Sequence, residues 1–210
     1  MNAAPAIRLM LADDHFVVRM GLAASLRLEA DFEIVAEADS GTEAITMYRE
    51  QRPAVAILDW RLPDMTGVEV TAAIRAFDPK ARIMILSAFS GEEDVYRAVQ
   101  AGAEAYLLKN VRRAEIVHAI RTLNGGGQHF PPEVSAILAA RLRRDELTAR
   151  EKSVLCEIVK GSSNKEIGSL LDITESAVKL HVTHLLQKLR AKDRTHAATI
   201  AIQRGIVHLE

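Results

Sequence analysis

Two adjacent aspartates, Asp13 and Asp14, a third at Asp59, a hydroxyl at Ser87 and an ammonium at Lys109 each stand at the carboxyl end of a short apolar run. Adjacent carboxylates facing a third make an oxygen-rich site that needs a hard cation to neutralise it. Mg²⁺ is the natural occupant, because it takes few carboxylates and fills its octahedron with waters and phosphoryl oxygens. A carboxylate in such a site can act as a nucleophile and take a phosphoryl group as an acyl phosphate. Asp59 is the candidate nucleophile, and Lys109 and Ser87 supply the cation and hydroxyl that balance charge on a transferring group. Any one of these residues reads equally well as a cap, with Asp14 a good N-cap for a following helix. Four suitable groups at four successive run ends are much harder to produce by chance.

The runs that must position these groups are 7–12, 54–58, 82–86 and 105–108, long enough for strands and apolar enough to be covered on both faces. Amphipathic stretches at 14–28, 41–51, 66–77, 91–102 and 112–123 predict helices between and after them, a fivefold β/α alternation. The expected fold is therefore α/β, a doubly wound five-stranded parallel sheet. In that architecture ligands bind beyond the carboxyl ends of the strands, where the chemically suited residues fall.

The alternation stops at Asn124-Gly125-Gly126-Gly127, closely followed by Pro131-Pro132, a concentration of helix breakers that marks a boundary. Val134, Ile137, Leu138 and Leu142 then recur at helical spacing. The expected organisation is a first domain over 1–124, a partly helical linker over 125–146 and a small all-α domain over 147–210. The formal charge of −1 conceals a difference between the two ends. Residues 1–124 carry 14 basic and 18 acidic side chains, whereas 147–210 carry 10 and 7, a modest positive excess suited to a polyanion.

A composition with 49% hydrophobic and 26% charged residues is that of a globular protein rather than a disordered one. With Cys156 as the only cysteine, an intramolecular disulfide and a Cys-rich zinc site are excluded. A reducing cytoplasm fits. The chain has neither a secretory leader pattern nor an apolar segment near the roughly 20 residues needed to cross a bilayer, so no membrane association is expected.

In the C-terminal part, Ser163-Asn164-Lys165-Glu166 is a capping box that starts one helix, and Thr174 with Glu175 starts the next. Along that next helix Val178, Val182, Leu185 and Leu189 form an apolar stripe. Ser176, Lys179, Leu180, Thr183, Gln187 and Arg190 form the opposite face, polar and partly basic as a major-groove reader requires. A solvated amphipathic helix has the same spacing, and only Leu180 among polar neighbours departs from it. His181 and His184 lie three apart, but no further ligand at suggestive spacing supports a metal. The last helix, 195–204, is apolar on more than one face, so part of it can pair with a twin helix in a twofold dimer.

The string Ile57-Leu58-Asp59-Trp60-Arg61-Leu62-Pro63-Asp64-Met65-Thr66-Gly67 resembles the phosphoacceptor loop of bacterial receiver domains, and the whole of 7–123 is similar to that family. Leu147-Thr148-x-Arg150-Glu151, Ser163-Asn164-Lys165-Glu166-Ile167, Ser176-Ala177-Val178-Lys179-x-His181-Val182, Lys188-Leu189 and Asp193-Arg194-Thr195 resemble the LuxR-type helix-turn-helix. Together they resemble a two-component response regulator of the NarL/FixJ type, a CheY-like receiver of flavodoxin-like fold followed by a DNA-binding domain. The resemblance implies phosphorylation of Asp59 by a sensor histidine kinase, with Mg²⁺ held by Asp13, Asp14, Asp59 and the backbone carbonyl of Arg61. It implies that Ser87 and Lys109 contact phosphoryl oxygens and that Tyr106 is the switch aromatic. Arg61 and Phe89 fall at positions that tune dephosphorylation.

On the same resemblance Lys179, Leu180 and Thr183 face bases of double-stranded promoter DNA, while Asn164, Lys165, Ser176 and Lys188 approach phosphates. It implies a homodimer at least when phosphorylated, admits RNA polymerase as a further partner, and describes a cytoplasmic transcriptional switch with no catalytic residues rather than a turnover enzyme. Two departures stand out. Asn110 follows Lys109 where the family commonly has proline or aspartate, and the bulky Trp60 adjoins the nucleophile, read here as a loop-packing residue. Two other readings share these residues. A Mg²⁺-dependent phosphotransferase or phosphatase would need a water-activating acid or base, for which no candidate stands out. A DNA-binding protein with a degenerate receiver would not need the full set of pocket residues.

Overall fold

The computed structural model describes residues 5–88, 91–142 and 144–208, so Phe89 lies outside the described residues. Within them the chain divides into two compact units: one, 5–88 and 95–136, carries a sheet, and the other, 91–94 and 137 onward, is helical.

In chain order the β/α region runs β1 (Ile7–Ala12), α1 (Phe16–Leu26), β2 (Phe32–Ala38), α2 (Gly41–Gln51), β3 (Val55–Asp59), α3 (Gly67–Phe77), β4 (Ile83–Ser87), α4 (Glu92–Gln100), β5 (Ala105–Leu108) and α5 (Arg113–Asn124). The five strands are parallel in the order β2-β1-β3-β4-β5. This is the doubly wound sheet expected from the alternation. β3 and β4 are buried at every position, which is why their sequences read as unbroken apolar runs. β2 lies at the sheet edge with Glu33 exposed, so its apolar pattern is broken and it is much less visible in sequence.

Strand order reverses between β1 and β3, so the carboxyl ends of these neighbours open the crevice where ligands bind in such sheets. Behind it, Leu9, Leu11, Ile57, Met84, Leu86 and Leu107 pack against Ile116, Ile120 and Leu123 of α5. That packing makes the strand ends a rigid rim.

After α6 (Pro132–Arg141) come α7 (Ala149–Val159), α8 (Asn164–Leu171), α9 (Glu175–Leu189) and α10 (Arg194–Gln203). Capping boxes Thr148/Glu151 and Ser163/Glu166 start α7 and α8, and the Thr174 hydroxyl accepts from the Ala177 N–H to start α9. α9 buries Val178, Leu185 and Leu189, with Val182 partly buried beside them. Ala197, Ile200 and Ala201 place most of the apolar surface of α10 in the core, leaving Ile202 exposed. No helix among the described residues is long and apolar enough to cross a membrane.

Candidate phosphoacceptor pocket and reader helix

Asp13 follows β1, Asp59 ends β3, Ser87 ends β4 and Lys109 follows β5, so four strand ends converge on one rim. Lys109 Nζ donates to Asp13 Oδ2 at 2.7 Å and to Asp59 Oδ2 at 2.8 Å, joining residues far apart in sequence. Both carboxylates are largely buried, with Asp13 5% and Asp59 7% exposed. Burial pushes the Asp59 carboxyl above the usual aspartate range, and the neighbouring Asp13 charge adds to this against the opposing pull of Lys109. Burial also disfavours the Lys109 ammonium, but the hydrogen bonds it donates to Asp13 and Asp59 outweigh this and hold its pKa above the ordinary value. One ammonium therefore serves two desolvated carboxylates, with Asp14 close by.

Ligand atoms of Asp13, Asp14, His15 and Asp59 all lie within 4.8 Å of one another, which suits one small hard cation. Arg61 pairs with Thr66 in an antiparallel bridge flanked by Gly67 N–H to Trp60 C=O at 2.8 Å and Leu62 N–H to Met65 C=O at 3.1 Å. In that pattern the peptide groups of Arg61 turn away from Thr66, leaving its carbonyl on the outer side of the tight loop. Gly67 permits the loop: a Cβ there would come within 2.2 Å of the Asp59 carbonyl oxygen. Trp60 is buried, and its backbone N–H donates to Asp59 Oδ1 at 2.7 Å, fixing the carboxylate's second oxygen.

Ser87 is fully buried, and its carbonyl accepts from the Lys109 N–H at 2.7 Å, tying β4 to the lysine loop. Tyr106, in register with Ile85 on β4, is also fully buried. Its ring lies within the fold rather than on the surface.

In the second unit, Ser176, Lys179, Leu180 and Thr183 are exposed along one side of α9, and Leu180 keeps 57% of its surface in solvent. Lys179 meets Glu175 one turn earlier at 2.8 Å, an exposed pair of small energetic weight. Asn164 and the exposed Lys165 occupy the first turn of α8. Lys188 is placed differently from its expected role at a phosphate: its ammonium donates to Glu151 Oε2 at 2.8 Å and to the Glu146 carbonyl at 3.0 Å. It ties α9 to the N-terminus of α7.

Some residues with structural work to do carried little sequence signal. Arg150 donates to the Leu171 carbonyl at 2.6 Å at the end of α8, while Arg194 donates to Asn164 Oδ1 at 3.0 Å and to the Ser162 carbonyl at its start. Two arginines thus hold α8 at both ends. Asp64 accepts from the Gly41 and Thr42 N–H groups at 2.7 and 2.9 Å and from the Thr42 hydroxyl at 2.6 Å, capping α2 from the phosphoacceptor loop.

The family model described as the response regulator receiver domain matches residues 9–121, and that of the bacterial regulatory proteins of the luxR family matches 145–201. The response regulator protein VraR of Staphylococcus aureus is 37% identical over 206 residues, covering 96% of this chain and 99% of that protein. The crystal structure of ChrA, a response regulator in a heme-sensing two-component system, is 34% identical with a TM-score of 0.59, over 97% of this chain and 100% of that one. The RcsB–DNA complex gives a TM-score of 0.70 at 21% identity, over 94% and 98% of the respective chains, a likeness of fold alone. With its receiver and luxR-family models in this order, and with relatives similar along nearly its whole length, the chain belongs to the response-regulator family.

Proposed function

We propose that the acidic pocket accepts a phosphoryl group on Asp59 and that the protein is a switch rather than a turnover enzyme. The observation that carries this is the bridging of Asp13 and Asp59 by Lys109 at 2.7 and 2.8 Å, on the rim where the strand order reverses. Asp13, Asp14, Asp59 and the Arg61 carbonyl would hold Mg²⁺, which when bound offsets the carboxylate charge and draws phosphoryl oxygens into place. Asp59 Oδ2 attacks the phosphorus of a phosphohistidine; the P–N bond breaks, the imidazole leaves with the electron pair and an aspartyl phosphate forms. Lys109 then moves from Asp59 Oδ2 to a phosphoryl oxygen while keeping Asp13, and the Ser87 hydroxyl donates to another. Phe16, Val17 and Met20 of α1, exposed just beyond Asp14, support a protein donor such as a sensor histidine kinase.

The second half of the reading is that α9 enters the major groove of promoter DNA with Ser176, Lys179, Leu180 and Thr183, while Lys165 and the first turn of α8 meet phosphate. Lys188 serves this arrangement by orienting α9 through Glu151. Function divides as input over 1–124, connection over 125–146 and output over 147–210. A homodimer matches a twofold operator, and a cytoplasmic site of action follows from a DNA target.

The test is phosphorylation by a small phosphodonor in Mg²⁺, read by mass spectrometry of the intact chain and of its peptides. One phosphoryl group on the peptide holding Asp59, absent in Asp59→Asn and on Mg²⁺ removal, is the expected result. Labelling elsewhere, or labelling that survives Asp59→Asn, overturns it.

A further inference from the structure

His15 occupies the N-cap of α1, yet its side chain makes no capping hydrogen bond. Asn, Asp, Ser or Thr at such a position would normally accept from the first-turn amides. The imidazole turns instead to the acidic pocket: Nδ1 lies 2.7 Å from Asp14 Oδ1 and 3.4 Å from Asp13 Oδ1. The ring remains 67% exposed, so the apolar interior does not hold it there. It is the one nitrogen donor in the group whose ligand atoms lie within 4.8 Å of one another.

Neighbouring ligands on an octahedral cation with bonds of ~2.1 Å are separated by about 3 Å, and opposite ones by about 4.2 Å. The His15 separations of 2.7 and 3.4 Å bracket the first of these values. Imidazole Nδ1 and an oxygen of each carboxylate are thus near enough to one another to share one cation. Asp13 can serve in this way without releasing Lys109, because Oδ2 takes the ammonium while Oδ1, which accepts the His15 backbone N–H at 2.9 Å, keeps a second lone pair and lies 3.4 Å from the imidazole Nδ1.

We infer that His15 is a further metal ligand of the pocket, giving it a mixed nitrogen–oxygen donor set that favours Mn²⁺ over Mg²⁺. A borderline divalent ion gains more from an imidazole nitrogen than Mg²⁺, which prefers oxygen and keeps its waters. The cation that Asp13, Asp14, His15 and Asp59 would hold then depends on the ratio of the two free ions as well as on the donor set. This inference rests on the reading of the acidic pocket as a cation site.

The experiment is electron spin-echo spectroscopy of the full chain with one equivalent of Mn²⁺, beside a Mn²⁺ titration with and without competing Mg²⁺. His15→Gln is compared with wild type, and Asp13→Asn/Asp59→Asn reports the pocket itself. The expected result is an imidazole ¹⁴N coupling that disappears in His15→Gln, with the preference for Mn²⁺ over Mg²⁺ reduced about tenfold. Mn²⁺ binding that requires the aspartates but shows no ¹⁴N coupling, or a coupling that survives His15→Gln, overturns the role of His15 and leaves the cation site standing. Mn²⁺ binding that is indifferent to Asp13→Asn/Asp59→Asn overturns both.

Discussion

Lys109 shares one ammonium between Asp13 and Asp59, so removing it leaves two largely desolvated carboxylates facing each other. Breaking a buried pair in this way costs roughly 3 kcal/mol, less whatever solvent recovers at its one-fifth exposed side chain. Lys109→Ala is therefore expected to lower receiver stability in urea by about 2–3 kcal/mol, and millimolar Mg²⁺ should restore more in the variant than in wild type. An equal response to Mg²⁺ in both proteins would separate the lysine from the cation site. Asp13, Asp59 and Lys109 were legible as a set because each follows an apolar run, and parallel strands bring such ends together. Lys188 was not legible, because its partner Glu151 lies 37 positions away and belongs to a different helix. A basic residue near the end of a reader helix looks the same whether it faces phosphate or a buried carboxylate.

Helix ends carry the next level of organisation. Asp64 caps α2 across the sheet rim, and hydrogen bonds from the Thr42 hydroxyl and the Gly41 and Thr42 amides hold its pKa at about 2, well below the ordinary 3.8. A depressed carboxyl stabilises the fold above its unfolded pKa, and that contribution is lost as pH falls through the folded value. Asp64→Asn should cost about 1 kcal/mol at pH 7, and the gap from wild type in urea melts should close between pH 4 and 2. A gap independent of pH would assign the loss to something other than the carboxylate. In the second unit, Arg150 and Arg194 hold the two ends of α8, and Lys188 with Glu151 joins α9 to α7. Lys165→Ala should weaken all DNA similarly and reduce the slope of log affinity against log salt by about one. Lys188→Ala should leave that slope near wild type and lower the melting temperature instead. Equal loss of slope in the two variants would return Lys188 to the phosphate contacts. The helices themselves were visible from their caps and apolar stripes, whereas β2 was obscured by its edge position and its glutamates.

At the scale of the whole chain, the proposed function requires that a chemical event in one unit be read out by the other. A phosphoryl mimic bound at Asp59 is expected to change DNA affinity, and the same mimic should have no effect in Asp59→Asn; an identical response in both proteins would remove the pocket from control. Sequence alone established the β/α alternation, the breaker-rich stretch around 124–132 and the capped helices, because strand burial, turn chemistry and capping are local and leave periodic or positional marks. It also grouped the candidate pocket residues, since side chains at strand ends share a rim in any parallel sheet. Tertiary packing was needed to assign partners. Only the fold shows that one lysine holds two aspartates, that Asp64 caps a helix 23 positions earlier in the chain, that His15 turns from its own helix to the carboxylates, and that Lys188 serves Glu151. A side chain's identity and spacing record what it can bind, but which group it meets depends on distances set by elements far apart in sequence.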